Sequence, residues 1–257
     1  MSQDRGFLLG DGLFETILAE DGRLAHFEAH AARMARGCGV LGLPAPDAES
    51  LRIAAVQALA AAQLARARAA VRLTWTAGSG GRGLDRPEPL VPALFAAAAA
   101  SPKPSGPASL ALTSVRRNPS SPTARLKTLA YLDNVAARRE ALAAGADEAL
   151  MLNVAGKVAC AAAANVFWIL EGRVFTPALD CGVLDGIMRA EVIRRAEGLG
   201  IEVVETHAEL DALVAAEAVF ITNSLIGVRP IRGFGETIYR PHPLVTELSK
   251  VEAGRGG

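Results

Sequence analysis

The first hundred residues alternate between the two-residue apolar period of strands and the longer period of helices. LFETILAEDGRLAHF has apolar residues at strand spacing on both sides of Asp21-Gly22, a dipeptide typical of tight hairpins, and predicts two paired strands. EAHAARMARGCGVLGL and AESLRIAAVQALAAAQLARA predict helices, and AAVRLTWTA and LVPALFAAAA predict two further strands. This part of the chain therefore predicts a small domain that contains both helices and strands.

A different composition separates this part from the remainder. SPKPSGP, residues 101–107, contains three prolines, one glycine and two serines and predicts a linker. We therefore expect a small α/β domain over 1–100, a linker over 101–107 and a larger domain over 108–257. The larger domain has the following predicted elements: a strand in ASLALTSV, a helix in LDNVAARREALAAG, several strands in DEALMLNVAGKVACAAAANVFWILEGRVFTP, a helix in IMRAEVIRRAEGLG, strands in IEVVETH and AVFITNSLIGVRPI, and a terminal helix in HPLVTELSKVEAG. The whole pattern predicts a two-domain α+β fold with mixed strands.

Composition excludes several classes of function. The chain has 257 residues, 51% of them apolar, and a formal net charge of zero, so no basic surface argues for nucleic acid. No apolar run is long enough to span a membrane, and the N-terminus lacks the pattern of a signal peptide. An odd number of cysteines at wide spacing is typical of a reducing compartment, and we expect a cytoplasmic protein. The histidines show no metal-ligand spacing with the cysteines, so no metal site is expected.

Lys127 is unusual in this chain. Of 27 basic residues only four are lysines, and Lys127 lies in the apolar stretch RLKTLAYLDN. Such a lysine is often a surface residue whose stem covers apolar neighbours. The alternative is a Schiff-base lysine, since only a primary amine condenses with an aldehyde and an apolar environment lowers its pKa. If the segment is helical, Tyr131 lies on the same face as Lys127.

GSGGRG, residues 78–83, matches the dinucleotide-binding pattern G-x-G-x-x-G after a strand. That function needs a helix to begin there, but the prolines of LDRPEPLVP exclude one. We expect instead a mobile glycine loop over a pocket, from which Arg82 reaches an anionic group of a substrate. Thr16, on the first predicted strand, is a second candidate substrate-binding residue.

Three further motifs offer groups that bind phosphate. Arg33, in the predicted helix of HAAR, has a planar guanidinium suited to phosphate, although a solvated helix face explains it equally well. DGIMRAEVI begins a helix after Gly186, and the backbone N–H groups of a helix start bind anions. Ser224, in TNSL at a strand end, is a third candidate, or a residue that caps a turn.

Taken in order, these motifs resemble the class IV pyridoxal-phosphate enzymes (fold type IV). This family contains branched-chain aminotransferases, D-amino-acid aminotransferases and 4-amino-4-deoxychorismate lyases. The resemblance covers nearly the whole chain through DRGFLLGDGLFETI, HFEAHAARM, GSGGRG, LKTLAYLDN, GADEALMLN, AAAANVFWI, VFTPALDCGVLDGIMR and FITNSLIGVRPI. GSGGRG, NVFW, GIMR and NSL are most similar to the lyase, which converts aminodeoxychorismate to 4-aminobenzoate and pyruvate.

The resemblance implies pyridoxal 5'-phosphate as the cofactor, a small-molecule amine or amino-acid substrate, and a homodimer. It implies that Lys127 forms the Schiff base with the cofactor and transfers the proton, and that Tyr131 binds the phenolic oxygen of the cofactor. The residues implied to bind the cofactor phosphate are Arg33, Ile187, Met188, Ser224 and Leu225. A class IV aminotransferase for D- or branched-chain amino acids and a cofactor-binding protein with little catalysis are the alternatives. A nucleotide-binding module depends on the glycine loop alone.

Two positions depart from the family pattern. The family has a glutamate, which pairs with the pyridine nitrogen, five residues before the Asn of its N-[VL]-F motif, whereas this chain has Cys160 before Asn165. A neutral thiol does not stabilise a pyridinium as a carboxylate does, so we hypothesise that Cys160 favours elimination over transamination or weakens activity. The chain also begins almost at DRGF, where the family has about two dozen preceding residues, and we expect a trimmed small domain or a late start.

Overall fold

The protein is described by a computed structural model that covers residues 3–250. These residues form two compact units. The first comprises residues 3–103 and 126–131, and the second comprises residues 104–125 and 132–250. Each unit contains its own β-sheet. Among the described residues, no helix has both the length and the apolar character needed to cross a membrane.

The first unit is built around a four-stranded antiparallel sheet with the strand order β2-β1-β3-β4. Its elements are α1 (Arg5–Leu9), β1 (Gly12–Glu20), β2 (Arg23–Leu24), α2 (Phe27–Leu41), α3 (Ala48–Ala61), β3 (Ala69–Thr76) and β4 (Ala93–Ala100). The predicted hairpin is confirmed, because Asp21 and Gly22 both have the positive φ that this turn needs. The two predicted helices and the two further strands are confirmed as well.

One face of this sheet is covered by α2 and α3. Residues that alternate along β1 and β3 supply the sheet side of the core, and apolar residues of both helices supply the other side. The fully buried members include Ile17, Met34, Leu51, Leu59, Val71 and Leu73. Odd-numbered residues of β1 therefore point toward the helices, and even-numbered residues point to the opposite face.

The segment that carries Lys127 belongs to the first unit, although it follows the predicted linker in sequence. Phe14 N–H donates to the Lys127 carbonyl at 2.9 Å, and Leu129 N–H donates to the Gly12 carbonyl at 3.1 Å. The sequence had placed this lysine with the residues after the linker. Backbone pairing with β1 is the physical reason for the difference.

Arg5 attaches the glycine loop of residues 78–83 to α1. Its guanidinium donates to the carbonyls of Asp85 at 2.9 Å and Leu84 at 3.0 Å, and to the Asp11 carboxylate at 2.9 Å. The loop itself depends on glycine, because a Cβ at Gly78 would lie 1.8 Å from the Val91 carbonyl oxygen. As predicted, no helix begins after this loop.

The second unit is built around a nine-stranded mixed sheet. Its order is β10-β9-β8-β11-β12-β5-β6-β7, with β13 paired to β12. The elements are β5 (Ala108–Arg117), α4 (Leu132–Ala143), β6 (Glu148–Asn153), β7 (Val158–Ala161), β8 (Asn165–Leu170), β9 (Arg173–Pro177), a 3-10 helix (Leu179–Cys181), α5 (Ile187–Gly198), β10 (Val203–Thr206), α6 (Asp211–Val214), β11 (Ala218–Asn223), β12 (Gly227–Phe234), β13 (Thr237–Ile238) and α7 (Pro243–Leu248).

This sheet contains both parallel and antiparallel pairs, as the sequence predicted. The β5–β6, β12–β5 and β9–β10 pairs are parallel, and β8 pairs antiparallel with β9 and β11. Its central strands are buried along nearly their whole length, with Phe167, Trp168 and Phe220 among the largest fully buried side chains. The predicted terminal helix is present as α7, and the last residues of HPLVTELSKVEAG lie outside the described residues.

Gly12 offers a test of the first unit's packing. We expect Gly12→Ala to lower the free energy of unfolding by about 1–3 kcal/mol, because its Cβ would lie 2.5 Å from the Trp75 carbonyl oxygen on the neighbouring strand. Gly39→Ala in α2 is the matched control, because its Cβ would meet nothing within 4 Å. That change should leave stability equal or raise it by up to about 1 kcal/mol. Urea denaturation of both variants measures the difference, and equal losses would contradict the packing.

Candidate active site

Lys127 lies beside two aromatic rings of the first unit. Its Nζ is 4.3 Å from the centroid of the Phe14 ring and 5.3 Å from that of the Tyr131 ring. The two rings meet edge to face, with centroids 5.0 Å apart. Residues 127–131 are not helical, so Tyr131 reaches Lys127 through this shared contact with Phe14 rather than along a helix face. The lysine therefore has an apolar, aromatic environment.

This environment changes the acidity of the amine. Burial lowers the pKa of Lys127 from 10.5 to about 8, although the residue keeps some solvent-accessible surface. The charge of Glu15 raises this pKa, while the charges of Arg33 and Arg72 lower it. A substantial fraction of the amine is thus unprotonated slightly above neutral pH, which is what a nucleophilic lysine needs.

Glu15 is the centre of a buried polar cluster whose charges act on this lysine. It lies on the helix-facing side of β1 and is 2% exposed. Arg33 of α2 binds it with two hydrogen bonds, from Nε to Oε1 at 2.8 Å and from Nη2 to Oε2 at 2.6 Å. Burial by itself would raise the pKa of Glu15, but Arg33 and His30 outweigh it and the pKa falls to about 2. Glu15 is therefore ionised at any neutral pH.

His30 completes the cluster from the same helix. It is 1% exposed, and its Nδ1 lies 2.7 Å from Glu15 Oε2. Burial lowers the pKa of His30, so the ring is neutral near pH 7, and Nδ1 must carry the proton that it donates to the carboxylate. His30 Nε2 has no hydrogen-bond partner among residues 3–250. The same carboxylate also fixes the orientation of Arg33, the predicted phosphate ligand, through its two hydrogen bonds.

Arg72 lies on the sheet face opposite the helices, and sequence reasoning missed it. Its guanidinium carbon is 3.7 Å from the centroid of Phe14, and it stands directly across from Thr16 in the β1–β3 register. Partial burial lowers the pKa of Arg72. Within the described part of the chain, no carboxylate pairs with it. The sequence does contain a sign of this position. The alternation of apolar and polar residues in AAVRLTWTA places Arg72 on the sheet face that carries Phe14 and Thr16.

In the second unit, Asn165 brings together two of the predicted phosphate-binding segments. It pairs with Thr222 in the β8–β11 register, and its Nδ2 donates to the Leu184 carbonyl at 2.9 Å. A Cβ at Gly186 would lie 2.0 Å from Asn165 Oδ1, so only glycine allows the start of α5 to approach β8 this closely. The N-cap residue Gly186 supplies no side-chain hydrogen bond to the helix. The Ile187 end of α5 is therefore held beside the end of β11.

The turn after β11 contains two of the predicted phosphate ligands, Ser224 and Leu225. Leu225 N–H donates to Asn223 Oδ1 at 2.9 Å, so that predicted phosphate donor is already engaged within the turn. The neighbouring Thr222 is fully buried, and its Oγ1 has no hydrogen-bond partner in the described structure. An unpaired buried hydroxyl two residues before Ser224 is a group that an added anion would satisfy.

The other two candidates lie in separate places. Cys160, in β7, is 8% exposed, and burial raises its pKa to about 11, so the thiol is neutral as predicted. Arg82 is exposed in the glycine loop, where its segment bridges to Asp85. The structure thus places Thr16, Arg33, Lys127 and Tyr131 around β1 of the first unit. Ile187, Met188, Ser224 and Leu225 lie around Asn165 in the second unit.

The Glu15 charge can be removed without a change of shape. We expect Glu15→Gln to lower the pKa of Lys127 below about 8, because an attractive charge is lost while that of Arg33 remains. The measurement is the pH dependence of Lys127 modification by an amine-specific reagent. Glu20→Gln is the control on the same strand, since Glu20 is exposed and pairs with Arg68. A profile of Glu15→Gln that matches wild type would exclude this coupling.

Known proteins resemble this chain along most of its length. Residues 12–234 match the amino-transferase class IV family. An aminodeoxychorismate lyase of Bacillus subtilis is 31% identical over 250 residues, which is 92% of this chain and 82% of the relative. A second relative is a Methanocaldococcus jannaschii protein that is provisionally named a branched-chain-amino-acid aminotransferase. It is 35% identical to this chain, and the match covers 89% of this chain and 80% of the relative's length.

Solved structures show the same fold. The 4-amino-4-deoxychorismate lyase of Pseudomonas aeruginosa is 32% identical and superposes with a TM-score of 0.84 over 96% of this chain and 92% of its own. The predicted fold type IV architecture is thereby confirmed. The chain is an enzyme that belongs to the class IV aminotransferase family.

Proposed function

We propose that this protein is a pyridoxal-phosphate-dependent 4-amino-4-deoxychorismate lyase that uses Lys127 as its reactive amine. The observation that carries the proposal is the half-buried Lys127, whose amine lies over the Phe14 ring and whose pKa is lowered by burial to about 8. Lyase relatives that span most of the chain support the choice of reaction.

The residues present are suited to the proposed cofactor. An aldehyde needs an unprotonated primary amine, and burial supplies one at Lys127. A phosphate needs hydrogen-bond donors. The N-cap residue of α5 is a glycine that offers no side-chain acceptor, and Thr222 Oγ1 is buried without a partner in the described residues. Ile187, Met188 and Ser224 are the phosphate ligands that the second unit is proposed to supply. When bound, pyridoxal phosphate supplies a ring that accepts electrons from a bond broken at the substrate's amino-bearing carbon.

Lys127 is the proposed acid and base of the reaction. An amine with a pKa near 8 exchanges protons readily at neutral pH, so its Nζ can take a proton from one atom and return it to another. Phe14 and Tyr131 limit the directions in which this amino group can point. Tyr131 is also the proposed partner of the cofactor's phenolic oxygen.

The position of Arg72 favours the proposal of an anionic substrate. Aminodeoxychorismate carries carboxylates, and the Arg72 guanidinium lies on the same ring, Phe14, as the Lys127 amine. It has no carboxylate partner among residues 3–250, so a substrate carboxylate would neutralise it. We propose Arg72 as the principal carboxylate ligand, with Thr16 beside it. Arg82, exposed in the glycine loop, is a further proposed substrate contact.

A class IV aminotransferase is the second candidate, and one comparison favours it. The Methanocaldococcus jannaschii relative with an aminotransferase name has an identity close to that of the lyases. Both reactions need Lys127 and the same cofactor, so the two candidates differ in what becomes of the substrate rather than in the reactive amine.

The deciding experiment is a product assay with the cofactor-loaded protein. Aminodeoxychorismate should yield pyruvate and 4-aminobenzoate, and the cofactor absorbance should persist through turnover. Lys127→Ala should lose both the lysine-linked absorbance and the activity. Lys157→Ala is the matched control, because that lysine pairs at the surface with Glu209. Amino-group transfer from D- or L-amino acids without pyruvate release from aminodeoxychorismate would establish the aminotransferase. Absorbance without turnover would mark a cofactor-binding protein.

Cys160 offers a test of what selects the reaction. We expect Cys160→Glu to raise transamination relative to elimination, because an ionised carboxylate replaces a thiol that is neutral at pH 7. Cys160→Gln controls for the change in size. Both rates are measured with the same cofactor-loaded preparation. An equal rise in elimination and transamination would remove the proposed effect of Cys160 on reaction choice.

A further inference from the structure

A second cluster of reactive side chains lies in the second unit, among residues to which the proposed reaction gives no role. Asp180 and Cys181 belong to the 3-10 helix after β9, and His207 directly follows β10. The parallel pairing of β9 with β10 carries both segments to the same end of the sheet. Ala178 N–H donates to the Thr206 carbonyl at 3.0 Å and so fixes the two segments to each other.

The three side chains offer one sulfur, one nitrogen and one oxygen within a short distance. His207 Nε2 lies 2.7 Å from Asp180 Oδ1. Ligand atoms of Asp180, Cys181 and His207 all lie within 4.8 Å of one another. Cys181 is fully buried, and its thiol makes only a long contact of 3.9 Å with the Thr206 carbonyl oxygen. Among the described residues, this sulfur therefore has no short hydrogen bond.

We propose that Asp180, Cys181 and His207 form a binding site for a zinc-like divalent cation, with water as the fourth ligand. A thiolate and an imidazole select zinc over magnesium or calcium, which prefer oxygen ligands alone. Zn–S and Zn–N bonds of about 2.3 and 2.0 Å place tetrahedral ligand atoms roughly 3–4 Å apart. The Asp180 and His207 side chains are more than half exposed, so they are free to rotate and adjust the present spacing toward that range.

Binding of the ion changes the protonation of its ligands and involves no oxidation or reduction. The Cys181 thiol loses its proton to solvent as sulfur coordinates the ion, and His207 coordinates through a neutral nitrogen. The ion would join the 3-10 helix to the end of β10. That helix leads through Gly182, which has a positive φ, toward the start of α5. The bound ion should therefore raise the stability of the second unit.

No local pattern in the sequence indicates this site, because the ligands come from distant positions. Spacing rules detect ligands that share one short segment, as in C-x-x-C motifs. Here the proximity depends on a crossover through α5 that returns the chain to β9. The proximity of His207 to Cys181 thus depends on the topology of the sheet rather than on local sequence.

The site can be tested with Co²⁺, whose thiolate charge-transfer absorbance reports a sulfur ligand, and with Zn²⁺ as its competitor. We expect the cofactor-free and cofactor-loaded full-length protein to bind one Co²⁺ with this absorbance and to release it on addition of Zn²⁺. Cys181→Ser should abolish the band, and His207→Ala, an exposed change that leaves the core intact, should weaken Co²⁺ binding by at least about tenfold.

Two controls separate this site from general metal binding. His242→Ala removes a histidine that also contacts a carboxylate, that of Glu217, and Cys38→Ser removes a buried thiol of the first unit. Both variants should bind Co²⁺ as the wild type does. The proposal is overturned if no thiolate band forms, or if His207→Ala binds with wild-type affinity. Neither result bears on the assignment of Lys127, which the product assay tests independently.

Discussion

The proposed chemistry of the first unit depends on the burial of the Lys127 amine, whose pKa also responds to the charges of Glu15 and Arg33. Taking the ammonium group out of water is unfavourable, and this burial lowers its pKa from 10.5 to about 8. Because the folded-state pKa is the lower one, the unfolded chain binds more protons between pH 8 and 10.5. Stability should therefore rise with pH across that window, and below it the charged lysine costs about 3 kcal/mol. Such a cost is typical of a residue kept for chemistry rather than for packing.

Glu15 limits that cost and also organises the residues around it. Its carboxylate is held ionised by the fork of Arg33 and by His30, and its charge partly offsets the desolvation of Lys127. The same pair fixes Arg33 on α2 against β1. The Glu15 carboxylate thus binds α2 to β1 through Arg33 and also acts electrostatically on Lys127, whose segment pairs with β1. Local packing and the proposed chemistry therefore depend on the same residue.

The strands and helices were largely predictable from apolar period and turn residues. Asp21-Gly22 marked the hairpin, because both positions need positive φ, and the isolated Lys127 in an arginine-rich chain marked the amine that is proposed to react. The sequence did not show that Lys127 pairs with β1, because that depends on a backbone contact between distant segments. The sequence pattern indicates no role for Asn165 beyond its place in the N-[VL]-F motif, yet Asn165 fixes the start of α5.

Other features depend on partners that no local pattern shows. Arg72 is one of 23 arginines, and only the register opposite Thr16 places it over Phe14 next to the lysine. Leu225 stays a predicted phosphate ligand, and its N–H also donates to Asn223 Oδ1 within the turn. The predicted mobility of the glycine loop stays a prediction, although Arg5 binds four of the carbonyls in and directly after it.

The most direct test of this account is an NMR titration of the lysine side chains. The chain has only four lysines, so Lys127→Arg is sufficient to assign the Lys127 signal. We predict that Lys127 titrates near pH 8 in the cofactor-free protein, well below the value of about 10.4 for an ordinary lysine. A Lys127 that titrates at the ordinary value would show that its amine is solvated, and the account of its burial and reactivity would be wrong.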